Sequence, residues 1–295
     1  MSHCVQKISG KPKWLRRSLP VGGTYEQVRR MVRKNGLATV CQEAQCPNQF
    51  ECFGRQTATI MILGDRCTRN CHFCAVQYKP DHGPDSNEPE RVAEAVAQLG
   101  LRYAVITSVT RDDLPDGGAS HFARTIEAIR SRCSETLVEV LIPDLQGDWQ
   151  ALATIINAQP DVINHNMETV ARLYPRVRPE ANYQRSLELL AMVKKIAPKL
   201  VTKSGIMLGL GEDIDEVHAL WRDLREVSCD ILTMGQYLQP TTSHLAVTRF
   251  LPPEEFSALG QEALSHAFRA VASGPFVRSS YEAESLFRTA TEQNC

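Results

Sequence analysis

The residues best suited to chemistry in this chain are two groups of three cysteines. The first cysteine triplet, spaced Cys-x4-Cys-x5-Cys, comprises Cys41, Cys46 and Cys52. The second cysteine triplet, spaced Cys-x3-Cys-x2-Cys, comprises Cys67, Cys71 and Cys74. A structural zinc site normally has four protein ligands, and an iron–sulfur cluster is usually held by four thiolates. Three thiolates therefore leave one position open, where an iron atom could bind another molecule.

The second triplet carries a recognisable signature. The segment Cys67-Thr-Arg-Asn-Cys71-His-Phe-Cys74 resembles the Cys-x3-Cys-x-aromatic-Cys motif of the radical S-adenosylmethionine (SAM) superfamily, with Phe73 in the aromatic position. The resemblance implies a [4Fe–4S] cluster whose fourth iron binds the amino and carboxylate groups of SAM and whose electron cleaves it. A zinc site or a disulfide staple is the alternative. The aromatic residue and the unmatched third cysteine argue against it.

The first triplet narrows the resemblance to one family. It is similar to the auxiliary-cluster motif of lipoyl synthases, and two further segments, Lys11-Pro-Lys-Trp-Leu-Arg16 and Arg278-Ser279-Ser280-Tyr281, also fit that family. The match extends over about residues 11–285, with all four motifs in order. The resemblance implies a second, auxiliary [4Fe–4S] cluster, with Ser280 as its unusual fourth ligand. Its ligands would be Cys41, Cys46, Cys52 and Ser280.

The family resemblance also implies the reaction. Unactivated C–H bonds do not react with acid–base groups or nucleophiles, so a cofactor must supply a radical. Lipoyl synthases insert two sulfur atoms at carbons 6 and 8 of protein-bound octanoyl-lysine, the last step of lipoate biosynthesis. A 5′-deoxyadenosyl radical formed at the second triplet would remove the hydrogens, and the auxiliary cluster would donate both sulfurs. Because alkoxide is a harder ligand than thiolate, the corner held by Ser280 should be released first.

The partners expected from this resemblance are octanoylated lipoyl carrier domains, found in the glycine-cleavage carrier protein and in the acyltransferase subunits of 2-oxoacid dehydrogenases. An electron donor such as ferredoxin or flavodoxin, and a cluster-assembly carrier, are also implied. The formal net charge of −1 gives no general attraction to nucleic acid. No apolar run approaches the roughly 18 residues of a membrane span, so neither a nucleic acid nor a membrane is expected as a partner.

Cysteine usage and the N-terminal charge bear on location and docking. Ten cysteines, six of them with metal-like spacing, favour a reducing compartment, which would be the cytoplasm in a bacterium. The N-terminal segment is basic before its first acidic residue, Glu26. This basic arm is either solvated or docks onto an acidic carrier domain. Its cations are Lys7, Lys11, Lys13, Arg16 and Arg17.

Hydrophobic periodicity predicts an α/β fold. Short Val/Ile/Leu-rich runs, typical of parallel strands buried on both faces, alternate with amphipathic segments. The predicted strands cover 57–63, 103–109, 137–143, 161–166, 200–209 and 230–238. The predicted helices lie near 89–99, 119–132, 148–158, 183–197 and 213–227. A complete barrel needs eight strand–helix units, so six predict a partial (β/α)6 TIM-type barrel, which the radical SAM resemblance also implies.

The barrel is expected to have an extension at each end that together hold the auxiliary iron–sulfur cluster. Residues 1–56 form an N-terminal extension with the first triplet, residues 57–240 the barrel, and residues 241–295 a C-terminal extension with the Arg-Ser-Ser-Tyr segment. The strand–helix alternation is lost after Gln239-Pro240, and a helical tail is predicted to begin near Leu251.

Polar residues at the ends of the predicted strands are candidates for binding SAM, because active sites of parallel α/β folds lie at the carboxyl ends of their strands. The resemblance implies that Ser108 or its neighbours contact the methionine amino group and that Arg178 contacts its carboxylate. It places Asn166 and Glu168 on the ribose or the methionine moiety. Segment Gly205–Glu212 is similar to the superfamily's Gly-x-Ile-x-Gly-x-x-Glu stretch beside the adenine, with Met207 in place of the usual Ile.

Two features remain open between a functional and a structural interpretation. Gly117-Gly118 either lets backbone amides approach a ligand or forms a turn. His165 is either a ligand or a hydrogen-bonded core residue.

Three other functions fit these residues less well. A biotin synthase-like enzyme would share the second triplet but lack the first triplet and Arg278–Tyr281. A non-enzymatic two-cluster electron carrier would bring four cysteines per cluster and needs no barrel of this size. A zinc-dependent nucleic-acid module conflicts with the net charge.

Overall fold

The computed structural model describes residues 11–15, 24–44, 46–54, 59–80 and 82–292. The strands, β1 to β10, are Ala38–Thr39, Thr59–Ile62, Arg66–Cys67, Gln77–Tyr78, Tyr103–Ser108, Leu137–Leu141, Val162–Asn164, Val201–Leu208, Ile231–Gln236 and Ala270–Gly274. The helices, α1 to α11, are Thr24–Lys34, Val40–Glu43, Gln49–Gly54, Glu88–Leu99, Ala119–Arg132, Trp149–Asn157, Tyr174–Val177, Tyr183–Ile196, Ile214–Glu226, Pro253–Ser265 and Ala283–Glu292. Short 3-10 helices cover Lys13–Leu15, Leu145–Gly147 and Ala171–Leu173.

The main sheet has the order β1-β2-β5-β6-β7-β8-β9-β10. Strand β1 is antiparallel to β2, and every other neighbouring pair is parallel. The six predicted strands correspond to β2 and to β5 through β9, and the five predicted helices correspond to α4, α5, α6, α8 and α9. The partial barrel predicted from the sequence is thus confirmed.

A seventh parallel strand was not predicted. Strand β10 pairs with β9 from Ala270 opposite Ile231 to Gly274 opposite Gly235. The prediction that the strand–helix alternation ends after Gln239-Pro240 is therefore wrong for the segment between α10 and α11. The sequence of β10, Ala-Val-Ala-Ser-Gly, is mostly small residues that are half-buried, and this composition gives no clear apolar pattern.

The main core lies between the sheet and the flanking helices. Val92 and Val96 of α4 and Phe122 and Ile126 of α5 are fully buried, as expected for the core-facing side of an amphipathic helix. Burying each such side chain contributes about 1.5–3 kcal/mol. Among the described residues, no helix has both the length and the apolar character needed to cross a membrane.

A fully buried ion pair links the central strands. Lys203 Nζ of β8 lies 3.0 and 3.1 Å from the two carboxylate oxygens of Glu139 in β6. Asn164 Nδ2 of β7 donates to Glu139 Oε1 at 2.9 Å, and the Tyr103 hydroxyl of β5 donates to Oε2 at 2.7 Å. Because a buried charge without its partner is strongly destabilising, this cluster opposes any slip in the pairing of these four strands.

Candidate active site

One cavity of about 440 Å³ lies at the carboxyl ends of the parallel strands. The loop after β2 carries the second triplet to this edge, and the segments after β5, β6 and β7 reach the same edge. Every residue predicted individually as a cluster ligand or a SAM contact lines this cavity, and the segment predicted beside the adenine contributes Gly205, Ile206 and Met207. The individually predicted residues are Cys41, Cys46, Cys52, Cys67, Cys71, Phe73, Cys74, Ser108, Asn166, Glu168, Arg178 and Ser280.

Both ends of the chain contribute to the cavity wall. Lys11 and segment 278–281 line it together with the barrel residues. Of the basic arm predicted from the sequence, Lys7, Arg16 and Arg17 lie outside the described residues. Residues from the two extensions therefore meet in the wall of one cavity, although they come from opposite ends of the chain.

The loop with the second triplet is held by backbone hydrogen bonds. Cys67 begins it in β3, which pairs with β4, and the Cys67 thiol accepts hydrogen bonds from the Thr110 N–H at 3.3 Å and the Arg69 N–H at 3.4 Å. Farther along, His244 Nε2 lies 2.9 Å from the Cys74 carbonyl oxygen. The positions of the cysteines thus depend on contacts from the β5 loop and from the C-terminal segment.

Arg69, between the first two cysteines of the second triplet, fastens this loop to the barrel. Its guanidinium is 4% exposed and binds Asp112 at 2.7 Å and Asp144 at 2.6 Å. Burial alone would raise the pKa of Asp144, but Arg69 outweighs burial and lowers that pKa to about 2. Arg69 bridges two carboxylates, as its planar donor array allows. Arg69 was not predicted as a site residue from the sequence.

The thiols fit a cationic cluster. Burial is the main reason that the pKa of Cys41 and that of Cys74 are each raised to about 12, and a backbone hydrogen bond partly opposes each shift. Burial also raises the pKa of Cys71 to about 11, although the Arg178 guanidinium opposes the shift. Neighbouring thiols in each triplet raise these pKa values further. Since only the thiolate binds metal, these groups become ligands when iron supplies the compensating positive charge.

The part of the cavity assigned to SAM has polar atoms without partners. Ser108 Oγ, Asn166 Oδ1 and Arg178 Nε are buried and make no hydrogen bond within the described part of the chain. Such groups destabilise a fold unless they are satisfied. Arg178 is held in place because its Nη1 donates to the Asn166 carbonyl at 2.7 Å and its guanidinium stacks over Tyr174 at 5.3 Å. Three oriented and unsatisfied polar groups fit a polar cofactor such as SAM.

Glu168 lies in the same region with a constrained backbone. Its φ of 65° is in the left-handed region, and its N–H and carbonyl bond to Gly205 and Met207 of β8 at 2.9 Å each. Its carboxylate accepts from Asn166 Nδ2 at 2.9 Å. Burial raises the pKa of Glu168, and the Arg178 guanidinium partly opposes this shift. A non-glycine residue held in such a conformation is typical of functional sites.

The first triplet lies on two short helices. Cys41 is in α2 and Cys52 is in α3, with Cys46 between them. The Cys46 N–H donates to the Cys41 carbonyl at 3.2 Å, and the Cys52 N–H donates to the Asn48 carbonyl at 2.9 Å. Asn48 Nδ2 also donates to the Phe276 carbonyl at 2.6 Å. This last contact ties the cysteine-bearing segment to the C-terminal segment that carries Ser280.

Close packing against β9 positions the Ser280 segment. A Cβ atom on Gly235 would lie 2.0 Å from the Val277 carbonyl oxygen and 3.1 Å from Arg278 Nη1. Glycine is therefore required where the turn after β10 crosses this strand. The Ser280 hydroxyl accepts a hydrogen bond from Thr59 Oγ1 at 2.7 Å. Neither Gly235 nor Thr59 was identified from the sequence, although a glycine inside a predicted strand is a known signal of close backbone approach.

His165 and Gly117-Gly118, for which the sequence allowed either a functional or a structural interpretation, both have structural roles. His165 is 2% exposed, and its two ring nitrogens lie 2.8 Å from the Ile142 carbonyl and 3.0 Å from Ser186 Oγ. Gly117 and Gly118 have φ values of 60° and 92° and form the turn that begins α5. The Asp116 carboxylate accepts from the Gly118 N–H at 2.9 Å.

Comparison with known proteins agrees with this geometry. The family described as the Radical SAM superfamily matches residues 61–224. A lipoyl synthase from Desulfotalea psychrophila is 67% identical, covering 95% of this chain and 94% of its own length. A lipoyl synthase from Symbiobacterium thermophilum is 56% identical, covering 94% of this chain and 87% of its own.

Solved structures resemble the fold at much lower identity. The Streptococcus suis protein SuiB bound to S-adenosylmethionine superposes with a TM-score of 0.56 at 10% identity. The match covers 74% of this chain and 51% of SuiB, so the chain spans about half the length of that protein. This likeness concerns the fold alone.

Proposed function

Because the chain belongs to the lipoyl synthase family of the radical SAM superfamily, we propose that its cavity carries out that family's reaction. The enzyme is a SAM-dependent sulfurtransferase. It inserts two sulfur atoms at carbons 6 and 8 of protein-bound octanoyl-lysine and so forms the lipoyl cofactor of lipoylated proteins. The observation that carries this assignment is a single cavity lined by both cysteine triplets and by Ser280.

The two triplets divide the work. When bound, the cluster on the second triplet supplies the electron that cleaves SAM, and the auxiliary cluster supplies the sulfur. Cys67, Cys71 and Cys74, the second triplet, would hold the cluster that cleaves SAM. The first triplet and Ser280 hold the auxiliary cluster. The Arg69 bridge keeps the second triplet at the barrel mouth, and the extensions cover the reacting carbons and limit access of water.

The barrel-end residues orient SAM beside the second triplet. Arg178 directs a guanidinium fixed by the Asn166 carbonyl toward the carboxylate of the methionine moiety. The Ser108 hydroxyl serves the amino group, while Asn166 and Glu168, already hydrogen-bonded to each other, serve the ribose or the methionine moiety. Phe73, in the cysteine loop, lines the same wall. The unsatisfied atoms at three of these positions support this arrangement.

The substrate is an octanoylated lipoyl carrier domain. We propose the glycine-cleavage carrier protein and the acyltransferase subunits of 2-oxoacid dehydrogenases as its sources. Ferredoxin or flavodoxin would supply electrons, and a cluster-assembly carrier would restore the auxiliary cluster. In a bacterium the enzyme would work in the cytoplasm. We retain the division into residues 1–56, 57–240 and 241–295 as a functional one, in which the two outer segments supply the auxiliary-cluster ligands.

The test is anaerobic incubation of reconstituted protein with SAM, dithionite and an octanoyl-lysine peptide, followed by mass spectrometry. We expect a product with two sulfurs in place of two hydrogens. Cys74→Ala should abolish both SAM cleavage and sulfur insertion. Cys46→Ala should still release 5′-deoxyadenosine but leave no sulfur on the peptide. Unmodified peptide with the wild-type protein, despite SAM cleavage, would show that the substrate assignment is wrong.

A further inference from the structure

Thr59 lies in the wall of the cavity at the proposed auxiliary site. It is the first residue of β2 and is 7% exposed. Its hydroxyl donates to Ser280 Oγ at 2.7 Å, across 221 residues of sequence. Thr59, Cys41 and Ser280 line the same cavity. A single residue therefore hydrogen-bonds the proposed serine ligand in the part of the cavity that also contains a proposed cysteine ligand.

The direction of the side-chain hydrogen bond follows from the chemistry of the serine. A serine oxygen bound to iron has lost its proton and can only accept, so Thr59 must be the donor. The hydroxyl has little freedom to turn away. Thr59 pairs with Val105 of β5, and its β-branched side chain has restricted rotation about χ1. The donor is thus held toward Ser280 by the sheet.

We propose that Thr59 is a positioning residue for the auxiliary cluster, whose hydroxyl, held against Ser280, weakens the bond between the serine oxygen and iron. A donor on the serine oxygen withdraws electron density from the iron–oxygen bond. If Ser280 were to leave the iron, both electrons of that bond would stay on the serine oxygen, and the Thr59 hydroxyl would stabilise the resulting charge. The proposal rests on the proposed function in one respect, namely that Ser280 is a ligand.

A purely structural role for Thr59 predicts the opposite sign. If the hydrogen bond only tied down the C-terminal segment, its loss would loosen Ser280 and speed the loss of iron. Asn48 provides the matched control, because it holds the same segment through the Phe276 carbonyl at 2.6 Å without a hydrogen bond to Ser280. We therefore expect Asn48→Ala to accelerate iron loss and Thr59→Val to slow it.

The experiment measures transfer of iron to a chelator from the anaerobically reconstituted full-length protein, without substrate. Iron release from the auxiliary cluster is the kinetic phase that remains in Cys74→Ala, which lacks a proposed ligand of the other cluster. We call it the auxiliary phase. We expect Thr59→Val to slow this phase about tenfold, the change expected on loss of one hydrogen bond to a charged oxygen. Single-turnover sulfur insertion should slow with it, while 5′-deoxyadenosine release is unchanged. Thr59→Ser, which keeps the hydroxyl, should restore the wild-type rate.

Measurements in the Ser280→Cys background distinguish a failure of the proposed serine ligation from a failure of the proposed role of Thr59. There Thr59→Val should change iron release by less than about twofold, because the two substitutions act on one interaction. If Ser280→Cys releases iron like the wild type, serine ligation itself fails. If Ser280→Cys differs but Thr59→Val does not slow release, only the role of Thr59 fails. If neither Thr59→Val nor Thr59→Ala binds the auxiliary cluster, the proposal is overturned, because a hydrogen bond that only weakens the iron–oxygen bond is not needed for the cluster to bind.

Discussion

Replacing Gly235 with alanine should damage the auxiliary-cluster site and leave the SAM site intact. Gly235 lies in β9 where the turn after β10 crosses the strand, and it lines the cavity. An added Cβ would lie 2.0 Å from the Val277 carbonyl oxygen and 3.1 Å from the Val277 carbonyl carbon. The main obstacle is the backbone carbonyl group of Val277, so movement of a flexible side chain cannot relieve the clash. The turn must therefore move, and Ser280 must move with it.

The size of the effect follows from these distances. Because Cβ contacts shorter than 3.0 Å are essentially never observed, the turn has to shift by at least about 1 Å. Overpacking of this kind costs about 1–3 kcal/mol, which a domain of this size can tolerate. A displacement of about 1 Å at a reacting group can lower its rate about 100-fold. We expect a folded Gly235→Ala protein whose auxiliary site is damaged and whose SAM site is intact.

Iron analysis and product analysis together test this expectation. Reconstituted Gly235→Ala should hold about half of the wild-type iron, cleave SAM and form little lipoyl product. Gly274→Ala is the matched control, because Gly274 pairs with Gly235 but its added Cβ would meet only the Val277 Cγ2 methyl at 3.3 Å. It should resemble the wild type. Full iron content and normal sulfur insertion in Gly235→Ala would refute the reasoning.

Three further predictions concern buried ionisable side chains. Arg69→Lys cannot bridge two carboxylates, so we expect SAM cleavage to fall by about tenfold to 100-fold; an unchanged rate would deny Arg69 a positioning role. Lys203→Met leaves Glu139 buried without its cation and should lower the free energy of unfolding by about 3–5 kcal/mol, measured by urea denaturation; Lys203→Met with Glu139→Leu should recover much of the loss. Burial, chiefly, lowers the pKa of His165 to about 4, so the unfolded chain binds more protons below about pH 6.5 and stability should fall from there toward pH 4. His165→Gln should flatten that pH dependence.

The sequence predicted the parts of the fold that have a local signal. Strand β9 and the other strands of the six-stranded set are rich in Val, Ile and Leu, because parallel strands are covered on both faces. Predicted helix 119–132 matches α5 residue for residue. The cysteines were found because their spacing is itself a chemical pattern, and Ser280 was found through a motif shared with a known family.

The supporting residues were missed because their roles depend on contacts distant in sequence. Thr59 bonds to a residue 221 positions away, and Arg69 bonds to residues 43 and 75 positions away. Nothing in their immediate neighbours marks them as different from an ordinary strand residue or an ordinary surface cation. A single sequence without its fold therefore identifies the ligands of a site more readily than the groups that position them.

The seventh strand shows why one structural element escaped detection. Ser273 and Gly274 in β10 are small because their surroundings demand it. A Cβ on Gly260 of α10 would already lie 3.0 Å from the Ser273 Cβ, and one on Gly274 would lie 3.3 Å from Val277. Larger residues would push α10 and the following turn away from the sheet. Because β10 is parallel to β9, its carboxyl end lies at the same edge as the cysteine loop, and the tight turn then carries Ser280 into the cavity. The small side chains that allow this approach are the same ones that remove the apolar pattern by which a strand is predicted.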